Sequence, residues 1–279
     1  MEERLKRLMI IKLYPDGKPK AFNVTFDDGV LQDVRFVSML NKYNLKGTFN
    51  LNSGLMESEY EWTYNSGRVI KRLAADKAAP LYQGHEIASH TLTHPYMDKL
   101  SESEIMYELK TDKDKLEKLF GREIKGFAVP FHYYSDLIEN CVKKCGFTYA
   151  RISEESHSFN PQKDCYKWKA TLFHPHDPLD DIARQFIEAD GELSLLQIGG
   201  HSYDLDVENM WDIFESLFIK ISSRNDILPM TTIEIIEYLQ AMNKAEMTEK
   251  YIKNNSEISL WFSIDGSACE VKPYETMAL

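Results

Sequence analysis

The run Phe22-Asn23-Val24-Thr25-Phe26 is short, rich in β-branched and aromatic residues, and ends without a spacer in Asp27-Asp28-Gly29. A strand that stops at two carboxylates and a glycine turn places charge at the rim of a sheet. The pattern recurs along the chain. Residues 86–88 lead to His90-Thr91-Leu92-Thr93-His94, residues 126–129 to Pro130-Phe131, and residues 193–198 to Gly199-Gly200-His201. A further strand is expected over residues 47–51, followed by a long loop through Tyr60, Trp62 and Tyr64. Helical stretches lie between the strands. Ser101 to Glu104 forms a capping box that opens a helix running to about residue 120 and stopped by Gly121. Residues 136–145 form a helix closed by Gly146, and residues 207–221 and 232–243 form helices on either side of a short strand over 227–231. Strands alternating with helices predict an α/β protein with a parallel sheet. Barrel enzymes place their active sites at the C-terminal ends of such strands.

The motif residues supply a particular chemistry. His90 and His94 offer two imidazoles, and an aspartate from the Asp27-Asp28 pair adds a hard oxygen. Two histidines and a carboxylate, with a coordination position left open, suit catalytic zinc and several other divalent metals. The second aspartate is then free to accept a proton, and His201 provides a later acid/base group that titrates near neutrality. Hydrolysis of an amide or ester needs that inventory.

The ordered motifs resemble the polysaccharide deacetylase family, the NodB-homology domain of carbohydrate esterase family 4. Thr25-Phe26-Asp27-Asp28-Gly29 matches the family's TFDDG motif, and His90-Thr91-Leu92-Thr93-His94 its H-[ST]-x-x-H motif. The resemblance runs from about residue 21 to about residue 239. It implies a distorted, incomplete (β/α) barrel of roughly seven strands. It also implies Asp27 as catalytic base, Asp28, His90 and His94 as metal ligands, and His201 as general acid. Two departures stand out. The third family motif, R-x-P-Y, carries an arginine that orients the catalytic aspartate, and here that position is Ala128, with Phe131 in place of the tyrosine. The fourth motif, an acidic residue near a tryptophan that contacts the acid histidine, has no clear match; Asp164 and Trp168 lie in that region with a different spacing.

The expected function is a metal-dependent hydrolase that removes N-linked acetyl groups from an amino-sugar glycan or oligosaccharide. The alternatives are an O-acetyl esterase or small-amide hydrolase on the same barrel and an inactive glycan-binding protein. Zinc is the expected metal, with cobalt, manganese and nickel compatible with the same ligands. Phe131 and Trp168 are candidate substrate contacts, from a set of aromatics that includes Tyr60, Trp62, Tyr64 and Tyr133. His174 and His176 read as a polar loop rather than a second metal site, Asp204 as a solvent-facing loop carboxylate, and His85 as a packing residue.

Composition narrows the partners. The chain has 279 residues, 43% hydrophobic and 28% charged, in keeping with a soluble globular protein. A net charge of −11 without a basic stripe argues against nucleic-acid or anionic-membrane binding. The charged N-terminus lacks a signal-peptide core, so a cytoplasmic location is expected, and the four cysteines read as free thiols. One main domain, 1–249, is expected to carry the barrel. Residues 250–279 form a β-appendage, in which Asp265-Gly266 between two apolar runs marks a hairpin. Structural packing is the expected role of that appendage, with pairing in a homo-oligomer or contact with a glycan as the alternatives.

Overall fold

The computed structural model describes residues 8–56, 61–65, 67–173 and 179–279. Tyr60, His174 and His176 lie outside the described residues. The main sheet has nine strand segments: β1 (Lys20–Asp27), β2 (Gly47–Leu51), β3 (Glu86–Ser89), β4 (Gly126–Ala128), β5 (Tyr149–Glu155), β6 (Trp168–Ala170), β7 (Leu172–Phe173), β8 (Ser194–Gly200) and β9 (Ile227–Pro229). The connecting helices include α1 (Asp33–Lys42), α2 (Glu102–Phe120), α3 (Asp136–Lys144), α4 (Leu179–Glu188), α5 (Ser202–Val207), α6 (Trp211–Ser222) and α7 (Thr232–Asn243). Every pairing in this sheet is parallel, in the order β7-β8-β1-β2-β3-β4-β5-β6, with β9 added to the start of β1.

The sheet closes on itself through an interrupted strand. β6 pairs with β5 and β7 with β8, and only Thr171 separates β6 from β7. Thr171 N–H donates to Gln197 O at 2.8 Å, while Ser156 N–H on the other side donates to Ala170 O at 2.8 Å. The two ends of the sheet are thus consecutive pieces of chain, and the result is the distorted, nearly closed α/β barrel. The split at Thr171 and the short β9 take the strand count above the expected seven.

Alternation along β1 explains its two faces. Phe22, Val24 and Phe26 point outward into a buried cluster with α1 and α6, where Phe26 stacks on Phe36 at 4.1 Å between ring centroids. Asn23, Thr25 and Asp27 point into the barrel. The barrel interior is polar. Gln197 Nε2 donates to Asn23 Oδ1 at 2.7 Å, and Thr48 Oγ1 and Tyr149 Oη donate to opposite oxygens of Glu86 at 2.8 Å each. The cost of burying these groups is offset only because each finds a partner.

Local signals placed several elements well. The capping box at Ser101 and Glu104 is formed, and Gly121 ends α2 at φ +66°. The helix expected over 207–221 is α6, which starts later, at Trp211; it is preceded by the short α5, and Asn209 between the two has φ +56°. The loop after β2 contains an antiparallel hairpin, Glu61–Thr63 with Val69–Lys71.

At the C-terminus, Leu260–Ile264 pairs antiparallel with Ser267–Val271 around Asp265-Gly266, both at positive φ as the tight hairpin turn requires. The third strand of this small sheet is Ile10–Leu13, from the other end of the chain. A second small sheet joins Glu246–Met247, Tyr251–Lys253 and Thr276–Ala278. Buried Ile252, Leu260, Phe262 and Val271 pack with α7, and Tyr238 Oη donates to Leu13 O at 2.6 Å while accepting from Trp261 N–H at 3.0 Å. Among the described residues no helix is long and apolar enough to cross a membrane.

Candidate metal centre and active site

The sequence motifs converge at the C-terminal ends of β1, β3, β4 and β8. Ligand atoms of Asp28, His90 and His94 all lie within 4.8 Å of one another. His94 Nε2 is 3.7 Å from Asp28 Oδ1, and His201 Nε2 approaches the other oxygen, Oδ2, at 3.8 Å. Asp27 Oδ2 lies 4.0 Å from His90 Nε2. Asp27 and His201 therefore flank the three-residue cluster.

The donor set fits a divalent cation. His90 Nδ1–H donates to Ala128 O at 2.8 Å, which leaves the Nε2 lone pair turned to the cluster. Asp28 Oδ1 is buried and accepts no hydrogen bond among the described residues, although Arg72 Nη1 forms an ion pair with it at 2.9 Å. Two imidazole nitrogens and a carboxylate oxygen match the requirements of zinc and its neighbours.

The loop carrying the histidines is held from outside. On α2, Glu108 accepts from Thr93 N–H at 2.8 Å and Thr93 Oγ1 at 2.7 Å, and Asp112 accepts from Ser89 Oγ at 2.6 Å and Ser53 N–H at 2.7 Å. Asn52 Nδ2 donates to the carbonyls of His90 and Thr91. The backbone around the site is unusual: Asp28, Thr91, His94 and Phe131 all adopt positive φ, between 57° and 82°. Non-glycine residues in that region cost roughly 1–3 kcal/mol each and persist where surrounding structure over-determines them.

Burial raises the cost of every charge here, and neighbours decide each outcome. For Asp27, burial works upward, but Arg151, His90 and His201 together hold the carboxyl below its usual value. Asp28 is held well below its usual value, against burial, by Arg72, His201 and His94. Burial pushes His90 down to about 3 and also lowers His94, in keeping with neutral ligands. For His201, burial works downward, yet Asp204, Asp28 and Asp27 raise it overall.

Two sequence expectations need correction. Trp168 is 1% exposed inside the barrel, where its Nε1–H donates to Gln197 Oε1 at 2.7 Å, so a substrate cannot reach it. Asp204 does not face solvent. It is buried on α5 and accepts from His201 Nδ1–H at 2.9 Å, the acid-to-histidine contact for which no sequence match was found. Its i, i+3 spacing from His201 was the available signal, since that spacing shares a helix face. Phe131 lies half-buried beside His94, 4.6 Å between rings, and stacks on the exposed Tyr96 at 3.9 Å.

Three further residues enter the site that sequence reasoning did not single out. Arg151 on β5 donates through Nη2 to Asp27 Oδ1, and Asn50 Nδ2 donates to the same oxygen at 2.7 Å. Arg72 also donates to the Asp28 carbonyl and, at 2.9 Å, to Asn52 Oδ1. The expected strands did not include 149–155, so Arg151 had no assigned direction.

The fold and this cluster define a parallel (β/α) barrel protein with an Asp-His-His centre at its strand ends. Residues 15–150, close to half the chain, match the family model described as polysaccharide deacetylase. A curated relative, the peptidoglycan-N-acetylglucosamine deacetylase of Bacillus cereus, is 30% identical over 124 residues, which cover 43% of this chain and 38% of that protein. Across three of the curated relatives it matches, the chain spans between 36% and 53% of their length. Among solved structures, a Mycobacterium smegmatis protein provisionally described as a polysaccharide deacetylase superposes with TM-score 0.60 at 16% identity, covering 85% of this chain and 96% of that one. A Bacillus anthracis pseudoenzyme of carbohydrate esterase family 4 superposes with TM-score 0.53 at 14% identity, covering 81% and 68%. These two likenesses are of fold alone.

Proposed function

We propose that the chain is a divalent-metal hydrolase that removes an acetyl group from the nitrogen of an amino sugar within a glycan. The observation that carries this reading is the placement of Asp28, His90 and His94 between two further acid/base groups, Asp27 and His201. A divalent cation held by those three residues, zinc by the donor set, would supply Lewis-acid polarisation of the acyl carbonyl and stabilise the charge that develops on its oxygen. Asp27 accepts the proton of the attacking water. His201, held through Nδ1 by Asp204, delivers a proton from Nε2 to the departing amine. The stacked pair of Phe131 and Tyr96 beside His94 offers an aromatic face to a sugar ring. The name of the Bacillus cereus relative supports an N-acetylated amino sugar as substrate.

The test is acetate release from a panel of N-acetylated and O-acetylated sugars, with metal-loaded and chelator-treated protein compared side by side. Metal-dependent acetate from the N-acetyl members is the expected result. Release from O-acetyl members alone would make the protein an esterase. Bound metal with no acetate from any member would move the assignment to a small-amide hydrolase or, if glycan still binds, to an inactive binding protein.

A further inference from the structure

Position 128, where the family motif places an arginine, carries alanine, and its register partner on the adjacent parallel strand is Arg151. Register partners in a parallel pair project from the same face of the sheet, so a side chain from 151 reaches the same rim as one from 128. Arg151 is 1% exposed, and its Nη2 donates to Asp27 Oδ1, a residue 124 positions away in the chain. Its guanidinium lies 4.8 Å from the ring centre of Phe173, and Phe173 in turn occupies the space a Cβ on Gly199 would need, with ring carbons 2.6–2.8 Å from that position. Arg151 Nε is buried without a hydrogen-bond partner among the described residues. A residue present for packing alone would not bury an unsatisfied charged donor.

The arrangement also distinguishes the two oxygens of Asp27. Arg151 and Asn50 both donate to Oδ1, whereas Oδ2 faces His90 Nε2 at 4.0 Å. We propose that Arg151 is a positioning residue that supplies, from the neighbouring strand, the guanidinium the chain lacks at position 128. Together with Asn50 it pins Oδ1, so that Oδ2 is the oxygen presented to the attacking water. This assignment rests on the deacylase reading of Asp27.

The experiment compares Arg151→Ala, the volume-conserving Arg151→Met, and the double variant Arg151→Ala with Ala128→Arg. Each is read by kcat, KM, divalent-metal stoichiometry and thermal midpoint, with a crystal structure of Arg151→Met. The single variants are expected to lose about 100-fold in kcat, the scale of a misplaced reacting group, with KM and metal content little changed. The double variant is expected to recover at least about a tenth of the lost rate, because the guanidinium returns from the other strand. A kcat loss that follows metal loss in both single variants, or no recovery in a folded, metal-loaded double variant, would overturn the proposal. If the unsubstituted protein releases no acetate, the functional reading fails by itself, and the crystal structure still decides the positioning. An Asp27 carboxylate rotated away from Asn50 upholds it, and an unmoved carboxylate overturns it.

Discussion

At the scale of single residues, the site is built from pairs in which one side chain holds another in place. His201 is the clearest case. Its Nδ1–H is committed to Asp204, so Nε2 is the nitrogen that faces Asp28 and the centre of the site. Removing the restraint leaves the imidazole free to rotate or change tautomer. Asp204→Ala is expected to lower kcat by about 10- to 100-fold, a part of what a positioned acid contributes, with divalent binding retained. Steady-state kinetics beside a metal titration checks it, and an unchanged kcat would separate His201's role from its carboxylate partner.

At the scale of elements, α2 is a brace for the histidine loop. The helix starts at a capping box and ends at a left-handed glycine, and those two stops set which of its residues face the barrel. Glu108 and Asp112 lie four apart, hence on one face, and both reach the segment from Ser89 to Thr93. Because His94 sits at φ +57°, its placement relies on that support. Glu108→Ala is expected to weaken divalent binding by about 10-fold, as loss of an outer-shell contact typically does, while the helix and the fold remain. Isothermal titration with Co²⁺ reads the change; equal affinity would mean that Asn52 and Asp112 suffice to hold the loop.

For the whole molecule, buried titratable groups make stability depend on pH. Burial raises Glu86 to about 7 and Asp112 to about 7 against the hydrogen bonds they accept, and Asp33 to about 6. A carboxyl whose folded pKa is raised contributes stability that is fully present below its unfolded value and is lost as pH rises through the folded one. His85, lowered to about 4 chiefly by burial, works in the opposite direction, with stability lost as pH falls below its unfolded value. A comparison with one substituted carboxyl isolates the effect. Glu86→Gln keeps the shape and removes the titration, so between pH 5 and pH 8 the unsubstituted protein is expected to lose roughly 2–3 kcal/mol relative to the variant. Urea unfolding across that range measures it, and parallel stability curves would show that Glu86 does not take up a proton on folding.

What was legible in the sequence was local. Strand ends at Asp27 and His90, the caps of α2, the limits of α7 and the Asp265-Gly266 turn are each specified by residues a few positions apart, through side-chain period, capping and turn chemistry. The ordered motifs and the family they resemble pointed to Asp27, Asp28, His90, His94 and His201, side chains that the fold brings together. Tertiary structure alone decided which partners meet them. Arg151 reaches Asp27 only because β5 lies beside β4 in a register that sets it opposite Ala128. Trp168 is removed from any substrate by the barrel closing over it at Thr171, and Ile10–Leu13 joins a hairpin at the opposite end of the chain. Such contacts depend on strand order and side-chain direction, which no window of neighbouring residues encodes; a short-range pattern can say which groups stand at a strand's end, but only the closed sheet sets which groups they face.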